Sequence, residues 1–102
     1  MFINLVRVDA NPQKRQEYIQ TLYSLADSIR NINGCISHHS YQNIENEDTF
    51  CLIQEWESRE ALEAFLCSEL FLVFQGAVDL LSTSHQMISD EGEKIDKKGS
   101  RQ

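Results

Sequence analysis

"TFCLIQEWESREALEAF" (residues 49–65) contains the change of period on which the reading of the chain turns. Up to Trp56 it is a short, mostly apolar run, Phe50, Cys51, Leu52, Ile53 and Trp56, of the length and composition of a β-strand. Ser58 then stands where a helix N-cap belongs, and Glu60 in the first turn favours the positive end of the helix dipole. A second Ser-Glu pair, Ser68 and Glu69, repeats the start signal ten residues later. The helical stretch 59–81 is therefore expected to break near Cys67. Its second piece carries Phe71, Phe74, Val78 and Leu81 on one face.

Working outward, the polar run "ENED" precedes the strand as a turn, and "CISHHSYQNI" before it reads as another strand. Residues 35–57 thus form a hairpin. Upstream, Asn11 can cap a helix, and Pro12 suits its first position, where a backbone N–H is not needed. Tyr18, Leu22, Leu25, Ile29 and Ile32 recur at steps of four and three, the apolar stripe of an α-helix, and Gly34 supplies its stop. "FINLVRV" at the start and "STSHQMIS" after the helices complete four strands. The order is β-α-β-β-α-β, the ferredoxin-like arrangement in the α+β class: a four-stranded antiparallel sheet with both helices on one face. Residues 1–90 are expected to form this one domain. Residues 91–102 are charged and nearly free of apolar side chains, and read as a flexible tail.

The totals agree with one globular domain. The chain has 102 residues, 41% of them hydrophobic and 25% charged, and a formal net charge of −7, enough chain for a core without disulfide or metal support. The acidic balance repels phosphate, so neither nucleic acid nor an anionic membrane is an expected partner. No apolar run is long enough to cross a bilayer. The N-terminus lacks the basic and apolar pattern of a signal peptide. Cys35, Cys51 and Cys67 are odd in number and lack C-x-x-C spacing, so they read as small buried hydrophobes in a cytoplasmic protein.

Two helices cover only one face of such a sheet. The first strand is apolar on both faces, Phe2, Val6 and Val8 against Ile3 and Leu5. The third is too, Phe50, Leu52 and Trp56 against Cys51 and Ile53. A half-solvated strand would alternate apolar with polar. The expected solution is a homodimer that buries sheet against sheet.

Several of these features together resemble the antibiotic biosynthesis monooxygenase family, whose fold is a dimeric α/β barrel. Its strand ending in Glu-Trp and followed by a capped, Glu-, Ala- and Leu-rich helix is similar to Glu55-Trp56-Glu57-Ser58 and Glu60-Ala61-Leu62-Glu63-Ala64. Its Gly-Cys looks matched by Gly34-Cys35, and its Ser-x-x-Phe helix start by Ser68-Glu69-Leu70-Phe71. The resemblance covers residues 1 to about 90. It implies a small monooxygenase that oxidises an aromatic or quinol substrate with O2, often with no metal, flavin or haem, in a pocket between sheet and helices. This chain has Phe65, Leu70 and Phe74 where the family commonly has His, His and Tyr, and His38 where it has an aromatic. The haem-degrading branch would place a His at Gln75 and an Asn at Val6.

Candidate site residues follow from strand parity together with this resemblance. Trp56 shares a face with Phe50, Leu52 and Gln54; it is either a core cap or a pocket wall with an N–H donor. Asn4, mid-strand among apolar neighbours, needs hydrogen-bond partners and is either a structural amide or a group that binds a substrate oxygen. His38 is a candidate general base, its ordinary pKa being near working pH, or else a structural histidine. His39 points to the opposite face. His85 is a candidate for the same cavity. Phe50, Leu52, Phe65, Phe71 and Phe74 would line an apolar pocket or simply pack the core. The divergence of His38 and His39 argues against a metal site, and no cofactor is expected. Two functions remain open: a cofactor-independent monooxygenase with His38, Asn4 and Trp56 as catalytic groups, and a non-catalytic dimeric module that binds a small apolar ligand.

Overall fold

The computed structural model describes residues 1–92. Four strands, β1 (Phe2–Ala10), β2 (Cys35–Gln42), β3 (Thr49–Trp56) and β4 (Ser82–Glu91), form one antiparallel sheet in the order β2-β3-β1-β4. Three helices, α1 (Arg15–Arg30), α2 (Arg59–Leu66) and α3 (Glu69–Leu81), complete the α+β fold expected from the sequence. The first helix is entered through a 3-10 turn, Pro12–Lys14, with the Asn11 side chain accepting from the Gln13 N–H. Ser58 caps α2 through the Ala61 N–H, and Ser68 caps α3 through the Phe71 N–H. The two helices bend by 63° at this break. Strand β4 runs to Glu91, so the domain's last strand reaches just past the expected boundary, and residues 93–102 of the proposed tail lie outside the described residues.

The parity of the strands is as read. In β1, Phe2, Asn4, Val6, Val8 and Ala10 are all buried beneath the helices, and in β3 so are Phe50, Leu52, Gln54 and Trp56. Tyr18, Leu22 and Ile29 of α1 meet them. The core forms two clusters. One is built on Val6, Val8, Tyr18, Phe50, Leu52, Phe74 and Val78, the other on Phe2, Ile29, Trp56, Leu62 and Phe65. Since burying one large apolar side chain stabilises a fold by about 1.5–3 kcal/mol, these stripes are what hold the helices to the sheet. Among the described residues no single helix is long and apolar enough to cross a membrane.

Gly34 is a tight point of the backbone. Its φ is +93°, and a Cβ there would lie 2.6 Å from the Ala61 Cβ. The left-handed backbone and the contact with α2 both demand glycine. Gly34→Ala is expected to cost about 2 kcal/mol, read as a lower urea midpoint at constant slope; an unchanged midpoint would show that the loop re-routes freely.

The cysteines depart from expectation. Cys35 and Cys51 are only half-buried and Cys67 is exposed. Cys67 is the C-cap of α2, at the α2–α3 bend. Burial still pushes the Cys35 and Cys51 thiols up from their ordinary value, which keeps them protonated and unreactive.

Candidate functional site

Strand register brings polar side chains into one inward-facing row across the whole sheet. His38 of β2 stands opposite Gln54 of β3, Gln54 opposite Asn4 of β1, and Asn4 opposite Ser89 of β4. They are joined hand to hand. The Ser89 hydroxyl donates to Asn4 Oδ1 (2.7 Å), Asn4 Nδ2 donates to Gln54 Oε1 (3.0 Å), and Gln54 Nε2 lies 3.1 Å from His38 Nδ1. From the adjacent row, Trp56 Nε1 also donates to Gln54 Oε1 (3.2 Å). Asn4, Gln54, His38 and Trp56 are each at most 3% exposed. Ser89, on the edge strand, opens the row to solvent.

The direction of this chain is fixed by chemistry. An indole nitrogen only donates, so Gln54 must present its oxygen to Trp56 and its NH2 to His38. His38 Nδ1 is then an acceptor, and the neutral ring carries its proton on Nε2. Burial, first, and then the nearby Arg30 and His39 push the imidazole down to about 4. Arg30 itself is anchored by its Nε, which donates to the His38 carbonyl oxygen (2.9 Å). At neutral pH the row is therefore uncharged. It retains spare N–H groups on Asn4 and Gln54, since each amide nitrogen has two protons, and the His38 Nε2–H. It has donors to offer but no free basic lone pair on His38.

The three residues singled out as catalytic candidates, Asn4, His38 and Trp56, are thus brought together, and the residue that joins them is Gln54. Sequence reasoning placed Gln54 on the right face and passed over it. The signal was available: a polar side chain between Leu52 and Trp56 at an inward position needs partners as much as Asn4 does.

The pocket-lining candidates divide. Phe71, Phe74 and His85 line a cleft of about 290 Å³ between α3 and β4, together with Val6, Val78 and Met87. Phe71 and Phe74 lie 6.2 Å apart, ring centre to ring centre. Phe50 instead borders clefts on the β2 side. Leu52 is fully buried. Phe65 stacks on Trp56 at 5.1 Å and 24°, covering one face of the indole. Val6 and Met87, opposite one another in the register, form the inward row next to Asn4 and Ser89. The cleft floor therefore begins one row from the solvent-facing end of the polar row. His39 faces the other side of the sheet, as expected. Among the described residues no three His, Cys, Asp or Glu side chains gather where they could hold a metal ion.

Residues 1–77 match the family model described as antibiotic biosynthesis monooxygenase, and the chain belongs to this family. An uncharacterized protein of Synechocystis is 26% identical over 76 residues, covering 74% of this chain; the chain spans about half, 52%, of that relative's length. Among solved structures, an antibiotic biosynthesis monooxygenase superposes with a TM-score of 0.83 at 15% identity, covering 92% of this chain and all (100%) of the other. A Mycobacterium tuberculosis protein gives 0.84 at 20% identity, covering 92% and 96%. A conserved Methanosarcina mazei protein gives 0.83 at 21% identity, covering 91% and 94%. At such identities the structural likeness establishes the ferredoxin-like fold alone.

Proposed function

We propose that this protein is a cofactor-independent monooxygenase acting on a small, flat aromatic hydroxyl compound. The observation that carries the reading is the pairing of a largely apolar cleft with an uncharged polar row, which retains spare N–H donors, one step away. The ring would lie against Phe71, Phe74 and Met87, with its oxygen toward the Asn4–Ser89 end of the row. N–H donors in a water-poor site stabilise an oxyanion far better than the neutral phenol. The bound phenolate is electron-rich enough to reduce O2. A phenol with a free para C–H and one O2 give a quinone and one water, which needs no further reductant. Asn4 would touch the substrate. Gln54 and Trp56 would hold Asn4 in place, and His38 would end the row as a neutral acceptor rather than as the proton-abstracting base its residue type suggests.

The test is oxygen uptake by purified protein across a panel of 1-naphthols and other phenols with a free para position, with Asn4→Ala and Trp56→Phe alongside. Uptake should follow the substrate's own ionisation, rising with pH toward the phenol pKa. A profile governed by a group near pH 6.5 would instead restore a histidine base. No uptake above autoxidation would favour the second reading, a module that binds a small apolar ligand without turning it over. The occupied His38 lone pair and the apolar Phe65, Leu70 and Phe74 are what favour that reading.

We further propose that the protein is a homodimer through the outer sheet face. There His39, Ile53, Leu5 and Ile88 form a row across all four strands, and Ile88 is 54% exposed. Sedimentation equilibrium of the wild type and Ile53→Lys would decide it: a dimeric mass that falls to that of the monomer in the variant is expected.

A further inference from the structure

Tyr18 of α1 is fully buried, yet its hydroxyl is the one buried side-chain polar atom among the described residues with no hydrogen-bond partner. Such a group is costly to leave unmade, and phenylalanine would supply the same ring without it. The ring sits edge-on to Phe50, centres 5.1 Å apart, in the cluster that also holds Val6, Phe74 and Val78. Those last three side chains also line the 290 Å³ cleft between α3 and β4. Val6, Phe74 and Val78 thus stand between the packed cluster that holds Tyr18 and the cleft. Burial pushes the phenol far above its ordinary pKa, so it stays a neutral donor at every working pH.

We propose that the Tyr18 hydroxyl is a ligand-binding group: an aromatic guest entering the cleft shifts Val6, Phe74 and Val78 and brings a carbonyl or phenol oxygen to it. The inference rests on the reading that the cleft takes an aromatic ligand, and it adds a requirement. The ligand carries an oxygen for Tyr18 as well as one for the Asn4–Ser89 end, so an oxygen-bearing bicycle binds where its hydrocarbon parent binds weakly. Neutral hydroxyl donors in apolar surroundings discriminate strongly against ligands that leave them unpaired.

Tyr18→Phe in the full chain tests this with two readouts. Isothermal titration with 1,4-naphthoquinone and with naphthalene measures binding, and urea unfolding measures the free protein. The expected result is that naphthoquinone affinity falls about tenfold in the variant, one hydrogen bond's worth, while naphthalene affinity is unchanged. The urea midpoint should stay equal or rise, because the variant removes an unpartnered group. A lowered midpoint would reveal a structural partner for the hydroxyl and overturn the inference, as would unchanged naphthoquinone binding. Failure of both probes to bind wild type would remove the aromatic cleft itself, and this inference with it.

Discussion

Gln54→Leu is expected to lose on the order of 4 kcal/mol or more of stability, because it strands three buried partners at once, each costing about 1–3 kcal/mol when unsatisfied. Asn4 Nδ2, Trp56 Nε1 and His38 Nδ1 all depend on this one amide. Small domains have only about 5–15 kcal/mol in total, so the variant should be largely unfolded or strongly shifted in urea. A loss below about 1 kcal/mol would mean that the three groups find other partners and that the row is not a unit. Gln54→Glu makes the sharper test. Its shape is the same and its oxygens still accept from Asn4 and Trp56. It has no proton for His38 Nδ1. The imidazole must then supply the proton itself, so its pKa should climb from about 4 to above the ordinary 6.5 or so beside a carboxylate. Nitrogen-15 shifts of the His38 ring across a pH titration read both the tautomer and the pKa. An imidazole that still titrates near 4 in this variant would show that Gln54 does not set its state.

Much of the fold was legible in the chain because local chemistry and period agree. Ser58 and Ser68 each cap the helix they were expected to cap, Asn11 caps the 3-10 turn that leads into α1 rather than α1 itself, and Gly34 takes a positive φ in the turn before β2, while α1 already ends at Arg30. Parity, together with the family resemblance that chose His38 over His39, sent Asn4, His38 and Trp56 to the same face. The hub, Gln54, was less visible, because its importance lies in register rather than in parity. Only when β3 is paired with β2 on one side and β1 on the other does Gln54 stand directly between His38 and Asn4. Two polar residues of like parity on separate strands could equally be one or two rows apart. Tyr18 was hidden for another reason. It counts correctly as part of the apolar stripe of α1, and nothing in a stripe reveals whether a hydroxyl finds a partner. The protonation state of His38 is not legible from residue type: a near-neutral pKa is a property of a solvated imidazole, and this one is 1% exposed.

Acidification should weaken the fold through that same histidine. Its folded-state pKa, about 4, lies below the ordinary value of 6.5. The unfolded chain therefore binds a proton that the folded chain refuses throughout the interval between them, and stability falls as pH drops from 6.5 to 4. Above pH 6.5 both states are neutral here and the effect vanishes. At pH 5 the loss relative to pH 7.5 is about 2 kcal/mol, approaching 3 kcal/mol at pH 4, at 1.36 kcal/mol per pKa unit. Asp9, held below its ordinary value chiefly by hydrogen bonds from Ser84 and Thr49, destabilises in the same direction only at lower pH, as carboxylates begin to protonate. The upper part of the window is thus left to His38. The control is His38→Asn, whose Oδ1 can take the Gln54 N–H but cannot titrate. Urea midpoints at pH 7.5 and pH 5 should separate for the wild type and nearly coincide for the variant; equal losses in both would assign the acid sensitivity elsewhere. The cause of the refusal is geometric as well as dielectric. A proton on Nδ1 would face the Gln54 N–H donor, and Gln54 cannot turn its oxygen to meet it without turning its NH2 onto the Trp56 N–H. Charging one imidazole therefore breaks the row at its centre.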